Sequence, residues 1–425
     1  MRASIEKTRG RHPGPRQRPG WHDVVFVPGV GHLDYHCGAS ESVREIARHM
    51  SPPPLIVTSG PYGLTRRLLG EGLPVRVLAF DPSRLQGLRA SPPWRKAAVG
   101  FAALGYAVRL ARILRRVRAR VVYATNHAAI MAPLGARLAG ARLVTGIRGS
   151  DGRIGRWAPM LRLSDRLVVL SSEMRENLLR SVPRGLARAL EPRISVIYNG
   201  VSFDRADPSP EAIRDARGAL GASDEDAVVL YVAAFRAWKG QLRFIRDVVP
   251  RVPERARSGT RLRYAFLGSS TSPEDAPYEA ACREAARNSR ASERIRFLGF
   301  REDPWPWYAA SDIVALASEH EGMSRAIIEA MASGKPVVAY DVCSARELLR
   351  CGAGVVVPKG EAAAMACAIA NLADRPGIAR AMGEAGARFA LEHLEIGAVA
   401  RAYEQLFRSL IRTAGDERGN PPCGA

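Results

Sequence analysis

Ser318-Glu-His-Glu-Gly-Met-Ser-Arg-Ala-Ile-Ile-Glu-Ala-Met-Ala-Ser-Gly-Lys-Pro-Val-Val-Ala339 reads as loop, helix, stop and strand. The apolar run Ile313–Ala317 before it has the composition of a buried strand. The chain turns at Gly322, and Ser324 is an N-cap type of residue for the helix that follows. Gly334 is a stop signal, and Pro336 opens the next strand. A strand–loop–helix–strand unit of this kind builds parallel sheets, whose ligands lie beyond the carboxyl ends of the strands. The helix start offers free N–H groups and the positive end of a dipole, which together suit a phosphate. Glu329, just over a turn into the helix, can accept hydrogen bonds from both hydroxyls of a ribose, and Glu321 lies in the loop where sugar hydroxyls would sit. Taken alone, each glutamate reads more simply as an acid stabilised by the helix dipole. The whole string weakens that simpler reading.

Outward from this segment the same alternation continues. Val228–Val232, Arg263–Leu267, Ile295–Leu298, Val337–Tyr340 and Val355–Val357 read as strands, and Phe244–Val249 as part of a helix. Upstream, Val24–Val27, Leu55–Thr58, Val75–Leu78, Arg120–Ala124, Leu143–Thr145, Leu167–Leu170 and Ile194–Ile197 form an earlier strand set. Helices are expected at Ser40–Met50, within Pro93–Arg120, at Ala128–Leu138, and from about Leu394 to about Thr413. Short apolar runs alternating with helices imply parallel sheets covered on both faces. The reading is therefore a disordered basic tail over 1–20, an N-terminal Rossmann-like lobe over 21–202, a C-terminal Rossmann-like lobe over 203–393, a helix over 394–412 with a return to the N-terminal lobe as an option, and a disordered tail over 413–425. The break between the lobes falls near Asn199–Asp207, and the polar stretch Asp204–Asp226 is a linker or a first helix.

Composition narrows the function classes. The chain has 425 residues, 47% hydrophobic and 25% charged, ample for two cores. Its net charge of +21 favours an anionic partner, whether nucleic acid, a membrane face or a phosphorylated substrate, unless the excess is only a solvated surface. Cys37, Cys282, Cys343, Cys351, Cys367 and Cys423 include no C-x-x-C pair, which argues against a zinc ribbon and for a reducing compartment. No run of about 18 uncharged apolar residues suggests a transmembrane helix. No P-loop, G-x-S-x-G or H-E-x-x-H motif is present, and Gly29-Val-Gly31 lacks the third glycine of a dinucleotide fingerprint. Trp94–Arg120 interleaves Arg95, Lys96, Arg109, Arg112, Arg115 and Arg116 with apolar residues. It reads either as a packed helix with a basic solvent face or as a helix lying on an anionic membrane.

Glu321-x7-Glu329, followed by Ala330-Met331-Ala332-x-Gly334-x-Pro336-Val337-Val338, resembles the signature of retaining glycosyltransferases of the GT-B fold, family 4. Arg296-Phe297-Leu298-Gly299, Ala310-Ser311-Asp312, Ile197-Tyr198-Asn199-Gly200-Val201, Ser164-Asp165-Arg166-Leu167 and Cys37-Gly38-Ala39-Ser40-Glu41 are similar to further elements of that family. The resemblance is strong in the C-terminal lobe and weaker in the N-terminal one. It implies two doubly wound α/β domains facing a central cleft. Glu329 would hold the donor's ribose and Glu321 its sugar. Gly322, Met323 and Ser324 would offer backbone amides, and Phe300 and Arg301 would flank the base.

Val232-Ala-Ala-Phe-Arg-Ala-Trp-Lys-Gly240 is similar to the loop from which an Arg and a Lys of the family grip the diphosphate. Lys239 fits, the usual Arg position holds Ala234, and Arg236 is expected to substitute. Such cations would stabilise charge developing on the leaving group. Gly38, His127, Arg148 and Asn199 are the candidates for acceptor or phosphate contact. Arg148 stands where the family often has His, and an arginine cannot act as a base near neutral pH. A lone histidine such as His127 equally reads as structural. Cys37 replaces a glycine of the N-terminal loop.

The expectation is thus a cytoplasmic glycosyltransferase, with no metal or other cofactor, that uses a nucleotide-sugar. Its acceptor would be a glycan or lipid-linked glycan of the cell envelope, with an anionic membrane surface as an optional partner and no nucleic acid. A GT-B epimerase or phosphorylase, or a basic nucleic-acid-binding protein, are the alternatives.

Overall fold

Short β-branched runs become two all-parallel sheets in the computed structural model, which describes residues 23–29, 38–80, 91–126, 128–149, 158–204 and 206–419. The expected tail over 1–20, and Cys37 and His127, lie outside the described residues. The first sheet holds β1 (Val24–Gly29), β2 (Leu55–Thr58), β3 (Val75–Val77), β4 (Val121–Asn126), β5 (Arg142–Ile147), β6 (Arg166–Val169) and β7 (Ile194–Val196), in the order β3-β2-β1-β4-β5-β6-β7. The second holds β8 (Asp226–Val232), β9 (Arg261–Leu267), β10 (Ile295–Gly299), β11 (Ile313–Leu316), β12 (Val337–Tyr340) and β13 (Gly354–Val357), in the order β10-β9-β8-β11-β12-β13. Strand order reverses between β1 and β4 and between β8 and β11. A crevice opens at such a switch point, and the loops that leave the two central strands flank it.

Period-two alternation splits the first sheet's side chains between two cores. Val25, Val27, Val122 and Ala124 pack under Leu110, Ala132 and Ala136. Phe26, Tyr123 and Val144 face the opposite way, toward Ile46, Val399, Tyr403 and Phe407. The last three belong to the C-terminal helix Ile396–Gly419, so this helix crosses back onto the first lobe. Rings of Phe26 and Tyr123 meet edge-on at 5.0 Å, and those of Tyr123 and Tyr403 at 5.3 Å. At the crossing Val201 N donates to Leu394 O and Ile396 N donates to Val201 O, both at 3.0 Å.

Of the two expectations for Asp204–Asp226, a linker or a first helix, the structure shows the helix. The polar stretch after residue 204 contains the helix Pro210–Ala219, whose N-cap Ser209 Oγ accepts from Ala212 N at 3.2 Å. The final helix continues past Thr413 to Gly419, because Ala414, Glu417 and Arg418 favour helix and the first strong breaker is Pro421. The expected tail is therefore helical as far as Gly419. The helix Pro93–Arg116 is long and apolar enough to cross a membrane by length and composition, since Ala97–Leu114 carries only Arg109 and Arg112. The two arginines still interrupt it, so it is not the uncharged run of about 18 residues whose absence was expected. Its C-terminal half buries Tyr106, Leu110 and Leu114, whereas its N-terminal half leaves Trp94 and Phe101 72% and 75% exposed.

Candidate functional site

The loops after β8 and β11 leave neighbouring strands at the switch point of the second sheet and are stitched together. Gly240 has φ +77°, and a Cβ there would meet Ala317 O at 2.1 Å, so only glycine lets the first loop close on the end of β11. Tyr231 OH accepts from Ala317 N at 2.8 Å, and Glu319 N donates to Trp238 O at 2.7 Å. The rings of Trp238 and His320 stack at 5.6 Å. Within this frame Lys239 Nζ donates to Glu321 Oε1 at 2.7 Å, and Ser318 Oγ donates to the same oxygen at 2.7 Å. The expected diphosphate cation and the expected sugar ligand are thus each other's partners.

Arg236 is placed differently from its neighbour. Its Nε donates to Thr271 Oγ1 at 2.8 Å and to Asp275 Oδ2 at 3.1 Å, and its guanidinium lies 5.0 Å from the Trp238 ring centre. The structure does not bring it to Lys239 and Glu321. Asp275, on the segment after β9, holds it toward that side.

Ser324 precedes the helix Arg325–Ala332 and makes no side-chain cap, so no side chain of that residue occupies the N–H groups of the first turn. Glu329 is buried. Tyr308 OH donates to its Oε2 at 3.0 Å, and Arg325 Nη2 sits 3.1 Å from its Oε1. Burial pushes the Glu329 carboxyl above its ordinary pKa, against the opposing effects of Arg325 and Tyr308. Phe300 and Arg301 follow β10 at the far edge of the sheet. Phe300 is 47% exposed, and Arg301 lies over the Trp307 ring at 5.5 Å.

The first lobe closes on this segment from the other side. A Cβ on Gly322 would meet Arg148 O at 2.2 Å, so the two backbones touch where glycine stands. Arg148 is buried, donates to Asn199 Oδ1, and reaches Tyr123 OH at 3.4 Å. Asn199 Nδ2 in turn donates to Met323 O at 3.2 Å. Arg325 Nη1 donates to Gly200 O at 3.3 Å, and its Cδ lies 3.4 Å from where Gly38 would carry a Cβ. Glu41, a turn from Gly38, is held below the usual glutamate range: burial works against it, and Arg44, Arg325 and Arg67 outweigh burial.

The structure therefore gathers Lys239, Glu321, Gly322, Met323, Ser324, Glu329, Gly38, Arg148 and Asn199 along one lobe boundary. Arg236 and the pair Phe300 and Arg301 sit to the side. Sequence reasoning passed over Arg325 and Tyr308. Arg325 was findable, because it stands four residues before Glu329 on one helical face. Tyr308 reaches Glu329 from a separate helix, Trp305–Ala309, and carried no local signal.

Comparison with known proteins follows the same division. A model described as Glycosyltransferase Family 4 matches residues 60–205, and one described as Glycosyl transferases group 1 matches residues 226–375. The lipopolysaccharide core biosynthesis mannosyltransferase LpsB of Rhizobium meliloti (strain 1021) is 30% identical over 269 residues, which make up 59% of this chain and 75% of that protein.

The chain belongs to the group 1 glycosyltransferases.

Other group 1 relatives extend the match. The D-inositol 3-phosphate glycosyltransferase of Streptomyces coelicolor is 26% identical over 419 residues, 89% of this chain and 86% of that protein. Among solved structures, Anabaena HepE in complex with UDP shares the fold, with TM-score 0.75 and 21% identity over 91% of this chain and 100% of that one. This is the GT-B fold, and the chain is a glycosyltransferase. The group 1 model spans both the Lys239 loop and the Glu321–Pro336 segment.

Proposed function

We propose that this glycosyltransferase moves a hexose, with retention, from a nucleoside-diphosphate sugar to a glycan or lipid-linked glycan acceptor in cell-envelope synthesis. One observation carries the reading. Glu321 and Glu329 are both buried at the lobe boundary, on either side of a helix start at the switch point of the second sheet. Glu329 takes the ribose hydroxyls and Glu321 the donor sugar. The backbone of Gly322, Met323 and Ser324 faces the phosphates, with Lys239 as a counter-charge. Retention follows if the acceptor hydroxyl enters on the face the diphosphate leaves. The bond from the anomeric carbon to the phosphate oxygen breaks, the bond to the acceptor oxygen forms, and the departing phosphate takes the acceptor's proton. No resident metal or other cofactor enters this reading. The printed name of LpsB, a lipopolysaccharide core mannosyltransferase, and the structure of HepE with UDP support the acceptor and donor classes.

We place the enzyme in the cytoplasm, on the inner face of the cytoplasmic membrane. Cys282, Cys351 and Cys367 are free thiols, which suits a reducing compartment. Trp94, Phe101 and Leu104 project from the helix Pro93–Arg116 beside Lys96, Arg109 and Arg112. A groove of about 840 Å³, lined in part by Tyr62, Phe80, Phe101 and Arg112, runs along it. Nucleic acid has no part in this assignment; the basic face is given to lipid.

The test is a thermal-shift screen with UDP, GDP, ADP and their sugars, followed by transfer assays. A nucleotide that binds the native state raises its stability by mass action, about 2.7 kcal/mol at a hundred times Kd. The expected result is a clear rise with one base and turnover of its sugar. Absence of any shift, or phosphate-dependent cleavage of a glycan in place of transfer, would overturn the reading.

A further inference from the structure

We infer that Arg325 is a ligand of the donor diphosphate, paired with Glu329 in this structure and handed to the phosphates when the nucleotide arrives. The inference rests on the donor reading above and adds to it a residue which that reading leaves out.

A nucleotide-sugar joins its ribose to its sugar through the diphosphate. If Glu329 takes the ribose and Glu321 the sugar, the diphosphate lies between them, at the start of the helix Arg325–Ala332. Arg325 is the first residue of that helix and stands midway between the two glutamates. Its side chain does not run out into solvent. It is 16% exposed, lies 3.1 Å from Glu329, and crosses the lobe boundary to Gly200 O at 3.3 Å. Gly38 leaves room for it from the other lobe, and it acts electrostatically on Glu41. An ordinary pair spaced four residues apart on a helix surface would make only the first of these contacts.

Arg236 is turned to Thr271 and Asp275, and Ala234 carries no charge. Lys239 alone from that loop reaches Glu321. A diphosphate carrying about two charges would then meet one lysine from the loop after β8, unless Arg325 joins it. A guanidinium can bind two phosphate oxygens through parallel N–H groups, a geometry a lysine cannot copy.

The exchange also balances. Lys239 lies on Glu321 and Arg325 on Glu329. With donor bound, each carboxylate gains hydroxyl donors in place of its cation, and each cation gains phosphate oxygens. No charge is left buried without a partner.

The experiment is calorimetric titration of the native chain, Arg325→Gln and Arg325→Lys with a nucleoside and with its diphosphate, using whichever of UDP, GDP or ADP the native chain binds. Arg325→Gln should weaken the diphosphate by about tenfold to a hundredfold, the loss of a charged hydrogen bond. The nucleoside should bind Arg325→Gln as tightly as the native chain or more so, because Glu329 is then released to the ribose. Arg325→Lys should recover part of the diphosphate affinity. Equal weakening of both ligands in both variants would mark Arg325 as structural and overturn the inference, as would an unchanged diphosphate affinity in Arg325→Gln. A native chain that binds no nucleotide sinks the donor reading itself, and this inference with it.

Discussion

Glu173 and Glu347 cap each other's helices across the lobe boundary. Glu347, on the Ala345–Leu349 helix of the second lobe, accepts from Ser172 N at 2.9 Å and Glu173 N at 3.4 Å, at the start of the helix Ser172–Arg180 in the first lobe. Glu173 returns the contact, with Oε2 accepting from Ser344 N at 3.1 Å. Each carboxylate thus sits at the positive end of a helix that belongs to the other lobe. Glu347 also accepts from Tyr198 OH at 2.6 Å, on the segment that leads to the crossing at Val201. The pair ties the two lobes together.

Removing it should be readable in the Tyr198 titration. Burial, then the contact with Glu347, pushes the Tyr198 hydroxyl up to about 12 from the ordinary 10.0. A raised pKa in the fold gives stability that is present below pH 10.0 and is lost as pH climbs toward 12. In Glu347→Ala the tyrosine should titrate nearer its ordinary value by ultraviolet absorbance. The share of stability lost between pH 10.0 and about 12 should shrink in that variant, and small-angle scattering should show a wider separation of the lobes. A Tyr198 titration unmoved by the substitution would contradict the assigned contact.

Gly322→Ala tests whether backbone apposition at the lobe boundary is needed for transfer. The added methyl would fall 2.2 Å from Arg148 O, and neither partner there is a flexible side-chain end. The lobes should be pushed apart at the point where Met323 and Asn199 join them. Transfer should fall by roughly a hundredfold, the scale expected when reacting groups are misplaced by about an ångström. Turnover close to native would show that the contact is incidental.

How much of this was legible in the residues follows from where each signal is local. The strand runs and the helix after Ser324 were readable because parallel strands buried on both faces are continuous apolar stretches, and Val337–Tyr340 was located to the residue. Glu321, Glu329 and Lys239 were legible as a motif. Their pairing was not, because the Lys239 to Glu321 contact joins two loops whose proximity depends on strand order. Arg236 was expected to stand in at the diphosphate from the resemblance of its loop, whereas Asp275 and Thr271, more than thirty residues away, decide its direction. The same holds for Tyr308 at Glu329 and for the two capping glutamates.

Glu329 supplies a pH dependence with a definite sign. Burial raises its carboxyl pKa above the ordinary 4.5, so the charged form costs the protein stability as pH rises through the raised value. Ribose hydroxyls donate best to the ionised carboxylate. Affinity for a free nucleoside, which has no titrating phosphate, should therefore weaken as pH falls toward that value. The weakening should begin above the range of an exposed glutamate. Glu329→Gln should bind weakly and without this dependence. Its melting temperature should gain on that of the native chain as pH rises through the Glu329 titration. Glu329→Ala should lose at least ~100-fold in turnover through lost positioning of the donor. A native profile as flat as that of Glu329→Gln would refute the ribose assignment.

The helix Pro93–Arg116 gives the membrane proposal its measurable form. Trp94 and Phe101 stand seven residues apart, two helical turns, so they share a face that Leu104 borders, and all three are exposed. Lys96, Arg109 and Arg112 are exposed along the same helix, while Leu110 and Leu114 anchor its far half in the core. Apolar insertion and attraction to anionic headgroups then act together, and only the second is screened by salt. The native chain should sediment with vesicles of phosphatidylglycerol and phosphatidylethanolamine, much less with phosphatidylcholine, and salt should release part of it. Burying a phenylalanine side chain is worth about 1.5–3 kcal/mol, so Phe101→Ser should weaken vesicle binding by roughly tenfold or more even at high salt. Arg109→Gln with Arg112→Gln should instead remove the salt-sensitive part. Neither change touches the Glu321–Pro336 segment, so nucleotide binding should be kept in both. If the native chain stays in solution with anionic vesicles at low salt, the exposed apolar face has some other use and the assignment to the membrane surface fails.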